Sequence, residues 1–210
     1  MNDVRQMTEG NVASRRDRNL KAIRQKGGDI AEEMLVSQGF EALTARGLAK
    51  AIGCSVGALY NAFGHIDGVV REVNLRSARM LETALRAALA QEAQSLEVRL
   101  IASARTYFDF ALTEQERWRA LFDYPVRTIP DGRMFALQDE LVAMLRDAAG
   151  VTDAESPQAV RLTLLWASVH GLTSLSARGN ISGLEASEAR KYLSVLVRSA
   201  LDADLSAPEN

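Results

Sequence analysis

The chain has 210 residues, of which 47% are hydrophobic, 25% charged and 6% aromatic. These proportions belong to an ordinary globular protein and exclude disordered, collagen-like and disulfide-stapled classes. The formal net charge is only −2, but the balance is uneven: up to Arg79 there are 12 basic and 9 acidic side chains, and beyond it 13 and 18. No apolar run approaches the ~18 residues that cross a bilayer. The polar N-terminus lacks the apolar stretch of a secretory signal, and Cys54 stands alone. A cytoplasmic protein with no membrane partner is the expectation. The length accommodates one large domain or two small ones.

The first segment is the most basic. Residues 15–26 carry Arg15, Arg16, Arg18, Lys21, Arg24 and Lys26 against Asp17 alone. Either a polyanionic partner meets the N-terminal third of the chain, or this is a solvated basic tail. Downstream, apolar residues recur at helical spacing nearly everywhere, as in Val69, Val70, Val73, Met80, Leu81, Ala84, Leu85 and Ala88, and little reads as strand. The fold class is therefore all-α.

Helices are predicted near 16–37, 44–51, 55–61, 67–92, 95–111, 113–123, 133–149, 157–178 and 185–203. None of the four prolines interrupts a long periodic segment. Gly27 and Gly28 interrupt the first helix at about 1 kcal/mol each relative to alanine. Asp29 and Glu32 can form a capping box just after them. That pattern predicts an ordered helix starting at Ile30, with the basic segment as a separate helical piece or a mobile arm. Thr113 with Glu116 reads as another capping box, and Ser156 as an N-cap before Pro157 at the first helical position.

Residues Ala45–Ala62, ARGLAKAIGCSVGALYNA, alternate two short helical patterns around a three-residue turn, the layout of a helix-turn-helix. Ala49 is small where the second helix crosses. Gly53 sits at the turn, where a left-handed backbone is cheap only for glycine. Leu48, Ile52, Cys54, Leu59 and Ala62 fall on the inner face. Ser55, at the N-cap, and Val56, Gly57, Tyr60 and Asn61 point outward, and the start of such a second helix is what meets base edges in a major groove.

These residues carry a resemblance. Ile30–Val73 resembles the N-terminal DNA-binding domain of TetR/AcrR-type transcriptional regulators over about 45 residues: Gly39-Phe40, Thr44, Leu48-Ala49, Gly53, Ser55, Gly57, Leu59-Tyr60 and Phe63 match. Trp166, His170 and Gly171 in LLWASVHGLTSL resemble the Trp-x-x-x-His-Gly segment of the WHG-type C-terminal domains of that family. The resemblance implies a three-helix DNA-binding domain over 1–66, including a basic arm over 1–19. A helical regulatory and dimerisation domain follows over 67–210. There are departures. The family usually has a polar or basic residue at Val56 and a polar one at Ala58, so base reading here leans on thymine methyls and on backbone approach at Gly57. Ile66 stands where a lysine is usual, with His65 in a related position, and Gly27-Gly28 replace an apolar pair.

The expected function is a dimeric DNA-binding transcriptional regulator, a repressor released from a pseudo-palindromic double-stranded operator by a small hydrophobic effector. The alternative is a helical enzyme or small-molecule carrier without specific DNA binding. Thr44 is expected to cap its helix and face phosphate, Arg46 to reach phosphate or a groove edge, and Tyr60 to reach phosphate through its hydroxyl. The DNA-contacting set is Thr44, Arg46, Ser55, Val56, Gly57, Tyr60, Asn61 and His65. The main aromatic concentration comprises Tyr107, Phe108, Phe110, Trp118, Phe122, Tyr124, Met134 and Phe135. From it Tyr107, Phe110, Trp118 and Phe122, together with His170, are expected to line the effector site. Gly171 is expected at a close helix approach. Two histidines and one distant cysteine give no zinc set, no glycine loop cradles phosphate, and no nucleophile has a base. No metal, cofactor or catalytic activity is expected.

Overall fold

The computed structural model describes residues 3–123, 133–179 and 181–202, with side chains over 17–123, 137–179 and 181–202. Among them there are nine α-helices and no strand: α1 Asp3–Gln38, α2 Ala45–Ile52, α3 Val56–Phe63, α4 Ile66–Leu89, α5 Leu96–Thr113, α6 Gln115–Phe122, α7 Arg133–Ala149, α8 Pro157–Ala177 and α9 Ala186–Asp202. A short 3-10 helix, Phe40–Ala42, precedes α2. The all-α expectation is met helix by helix.

The described residues form two compact units. The first takes the chain up to Ser77 and the segment that begins at Arg119; the second takes Ala78–Trp118 and the helices from α7 onward. Two helices, α4 and α6, thus belong partly to each.

In the first unit a single core joins Ala31 and Leu35 of α1, Leu48, Ala49 and Ile52 of α2, Leu59 of α3, and Val69, Val70 and Val73 of α4, with Ala120 of α6 added to it. The α2–α3 turn is made as expected. Gly53 has φ 80°, ψ 36°, and its N–H donates to the Ala49 carbonyl.

Contrary to the expectation of a break, α1 runs unbroken through Gly27 and Gly28. Both are buried, and the space explains them. A Cβ at Gly27 would stand 3.0 Å from the Phe63 ring and 3.1 Å from Ile52 Cδ1; one at Gly28 would stand 2.6 Å from an Arg76 nitrogen. At Gly27 glycine lets α1 approach the Phe63 ring closely enough for the packing gain to outweigh the local propensity cost, whereas the near neighbour of Gly28 is the movable end of the Arg76 side chain. Around this contact, charged side chains tie α1 down. Lys26 donates to the Ile52 carbonyl at 2.8 Å, Arg24 donates to the Ala62 carbonyl, and Arg76 of α4 grips Asp29 at 2.7 Å and Glu32 at 3.0 Å. Two of the six cations that suggested a polyanionic partner are therefore spent on the C-terminal ends of α2 and α3, where helix carbonyls lack partners.

In the second unit α5 packs against α7, α8 and α9. Its buried Leu100, Ala104, Tyr107, Phe108 and Ala111 recur at i, i+4, i+7, i+8 and i+11, one face of a helix. Ser156 caps α8 ahead of Pro157, as expected, and Ser95 caps α5. Thr113 does not open α6: it closes α5, its hydroxyl donating back to the Asp109 carbonyl at 2.9 Å. Arg99 clasps two helix ends, donating at 3.1 Å to both the Leu89 and the Ala148 carbonyls. Arg190 of α9 grips Asp109 of α5 through two bonds of 2.6 Å.

Gly27→Leu removes the helix-propensity deficit yet forces α1 away from Phe63 and Ile52. It is expected to lower stability by roughly 1–3 kcal/mol, and an unchanged or raised thermal midpoint would show that the close approach is not what requires glycine.

Candidate DNA-reading helix and effector cavity

The α2–α3 pair presents its polar ends and outer face together. Thr44 caps α2, its hydroxyl accepting from Gly47 N–H at 3.1 Å, and Ser55 caps α3, accepting from Ala58 N–H at 3.1 Å. Both N-termini therefore keep only part of their N–H groups for an outside acceptor. On α3, Leu59 and Ala62 are buried, whereas Ser55, Gly57, Tyr60 and Asn61 are exposed. Tyr60 is 41% exposed, with its ring 6.2 Å from that of exposed His65. Arg46 is exposed one turn into α2. Val56 is half-buried and packs against the core, so less of it is free than of its neighbours. Cys54 is also half-buried against the core and carries no bridge.

The second unit holds an aromatic and polar cluster. Trp166 and His170, one turn apart on α8, stack at 5.2 Å with planes 13° apart; Trp118 lies 5.6 Å from the His170 ring and 5.1 Å from Tyr107, edge-on to the latter. The Tyr107 hydroxyl and His170 Nδ1 are hydrogen-bonded at 2.8 Å, and His170 Nε2 lies 3.3 Å from Ser174 Oγ. Burial pushes the Tyr107 phenol well above its ordinary value of 10.0, so at neutral pH it stays protonated.

Beside this cluster lies a cavity in which the centre of a water-sized sphere can range over about 40 Å3. Tyr107 and Trp166 form its aromatic edge and Ser103 adds a hydroxyl; aliphatic side chains, including Leu85, Leu100, Met144 and Leu165, line the rest.

The residues expected at an effector site are thus distributed. Tyr107 is on the cavity wall. His170 and Trp118 stand behind it in the aromatic cluster, Phe110 is buried in α5, and Phe122 is half-buried in the part of α6 that belongs to the first unit. Tyr124 and the side chains of Met134 and Phe135 lie outside the described residues. Sequence reasoning followed aromatic density and so missed the aliphatic wall; its signal was the helical recurrence of leucines on α4, α5, α7 and α8. Gly171 is not at a close approach in this chain: nothing lies within 4 Å of where its Cβ would stand.

Two family models match the sequence, that of the bacterial regulatory proteins of the tetR family over residues 29–73 and that of the tetracyclin repressor-like C-terminal domain over residues 100–200. The chain belongs to the TetR family of transcriptional regulators. Its fold is shared by solved relatives. A TetR-like transcriptional regulator from Rhodococcus sp. RHA1 is 18% identical, with TM-score 0.63 over 87% of this chain and 98% of that one. The TetR-family regulator PfmR from Thermus thermophilus is 20% identical, with TM-score 0.56 over 91% and 98%. The ketosteroid transcriptional regulator KstR2 of Mycobacterium tuberculosis is 19% identical, with TM-score 0.55 over 84% and 93%. No curated protein matches the sequence. Among the described residues of this TetR-family chain, no helix is long and apolar enough to cross a membrane.

The buried phenol has a consequence at high pH. Unfolded Tyr107 ionises near pH 10 while the folded one does not, so above that pH the folded state binds one proton more and stability falls as pH rises. Tyr107→Phe is expected to make the alkaline loss shallower by up to about 1.4 kcal/mol per pH unit. Denaturant titrations between pH 9 and 11 that give parallel profiles would remove Tyr107 from this role.

Proposed function

We propose that this TetR-family chain is a homodimeric repressor that reads a pseudo-palindromic operator through α3 and leaves it when a small apolar molecule enters the cavity of the second unit. The observation that carries the reading is the division of α3 into a buried face, Leu59 and Ala62, and an exposed one, Ser55, Gly57, Tyr60 and Asn61. This is the partition of a helix that is anchored from behind and free to enter a major groove. With no amide or guanidinium at residues 56–58, base reading rests on Ser55, on the free part of Val56 against thymine methyls, and on backbone approach at Gly57; Asn61 flanks them. Thr44, Arg46, Tyr60 and His65 supply contacts to phosphate.

Dimerisation is assigned to α8 and α9, which leave large apolar side chains uncovered: Val160, Leu164 at 53% and Leu175 on α8, Tyr192 and Val195 at 51% on α9. Such a face fits pairing with the same helices of a second copy as a four-helix bundle. Gly171 lies on α8 between Leu164 and Leu175 with open space over it, which suits the approach of a partner helix.

Release follows from α4. It begins at Ile66, just after α3, and its last buried residues, Leu85 and Leu89, line the cavity. The space is smaller than the 300 Å3 or more, roughly, of a drug-sized ligand site. An effector therefore has to displace the walls, with the unbranched thioether of Met144 yielding readily. Moving Leu85 and Leu89 shifts α4 and changes the spacing of two recognition helices that must match grooves about 34–36 Å apart.

Tyr60→Phe is expected to keep the fold and lower operator affinity by about 1 kcal/mol, the value of one hydroxyl-to-phosphate hydrogen bond. A gel-shift titration at wild-type affinity removes Tyr60 from the contacts. For assembly, Leu164→Asp is expected to turn a dimer into a 22.9 kDa monomer with unchanged helical circular dichroism. Light scattering that finds the wild type already monomeric at micromolar concentration overturns the dimer.

A further inference from the structure

The helix α1 starts at Asp3, although the match to the family's DNA-binding domain starts only at residue 29. The intervening helix carries Arg15, Arg18, Lys21 and Arg24 at intervals of three residues, with one acidic residue, Asp17, among them. A three-residue step turns an α-helix by about 300°, a retreat of about 60°, and advances it about 4.5 Å, so the row forms a ridge that winds around the helix, with Lys21 about 60° and Arg18 about 120° around the axis from Arg24. Its last member is fixed: Arg24 donates to the Ala62 carbonyl in the last turn of α3. Lys26 is likewise fixed on the last carbonyl of α2.

The next members toward the N-terminus are not used in this way. Lys21 and Arg18 are exposed, and among the described residues neither is held by a hydrogen bond or an ion pair. The ridge therefore leaves the body of the unit at the C-terminal end of α3 and continues about 9 Å along the α1 axis from Arg24 to Arg18.

From this placement we infer that the exposed ridge of α1, through Lys21 and Arg18, is a second DNA-contacting surface that grips backbone phosphates flanking the groove read by α3. The inference rests on the DNA-reading role given above to α3. A helix lying in a major groove has a phosphate strand beyond each of its ends, and cations carried past the end of α3 on a rigid helix meet that strand without ordering a flexible arm. The chemistry is that of charge without sequence preference.

The fixed and free cations separate cleanly by experiment. Wild type and the double variant Arg18→Gln, Lys21→Gln are titrated with a duplex selected by the wild-type protein from a random pool and with a scrambled duplex of the same composition, over a series of salt concentrations. Two lost phosphate contacts are expected to reduce the slope of log affinity against log salt by about 1.8 per protomer, to weaken both duplexes by the same factor, and to leave the thermal midpoint unchanged. Arg24→Gln is the contrasting variant, expected to lower the midpoint because the Ala62 carbonyl of α3 loses its bond to the guanidinium. A double variant with the wild-type slope overturns the inference while leaving the role of α3 intact. A wild-type protein that shows neither selection nor salt dependence overturns the role of α3 itself. Loss of binding to anionic phospholipid vesicles with an unchanged DNA slope assigns the ridge to a lipid surface and overturns the proposal.

Discussion

The close approach of α1 to the ends of α2 and α3 is the constraint on which the first unit depends. Two eight-residue helices are too short to be stable alone, and although the turns at Gly53 and Gly64 cap part of each C-terminus, the Ile52 and Ala62 carbonyls take their bonds from α1. Gly27 and Gly28 let α1 lie near enough for Lys26 and Arg24 to reach those carbonyls, and Arg76 draws α4 in from the other side. A side chain at 27 crowds Phe63 and Ile52, and loss of the cations leaves the Ile52 and Ala62 carbonyls without those bonds. The orientation of α3 is therefore set largely from outside the helix-turn-helix.

This also explains what was and was not legible in the sequence. Leu48, Ala49, Gly53 and Leu59 could be assigned from spacing alone, because their roles are local: a turn that needs φ above zero and a buried face at helical period. Nine helices could be drawn to within a few residues for the same reason, apart from the N-terminal extent of α1. Gly27-Gly28 could not, since local propensity reads two glycines as a break, and the tertiary contact that reverses this lies 36 residues away at Phe63. Arg24 and Lys26 were hidden in the same manner, as cations whose partners are backbone carbonyls with no sequence signature.

The second unit reverses the pattern. Its aromatic residues stand out in the sequence, yet they mostly serve the core. Phe108 is fully buried, and Trp118 and His170 brace the ring of Tyr107 from behind. The wall of the cavity is aliphatic, and leucine at helical spacing looks the same whether it meets another leucine or empty space. What distinguishes this corner chemically is the run Tyr107, His170, Ser174. Trp166 and His170 are one turn apart, so stacking them fixes the imidazole plane, and a fixed imidazole presents one nitrogen to a phenol and the other to a hydroxyl.

The first unit is not a continuous stretch of chain. Ala120 belongs to its buried core, and its carbonyl accepts a 2.7 Å bond from Asn74, 46 residues earlier; next to it, Arg119 pairs with Glu41. A fragment ending at Ser77 would carry the whole helix-turn-helix and still lack Ala120 and the bond that its carbonyl takes from Asn74 of α4. A simple N-terminal cassette ending there is therefore missing part of its own core. During synthesis it is completed only after α5 has been made. The chain that follows α4 is in this sense a folding partner of the first unit.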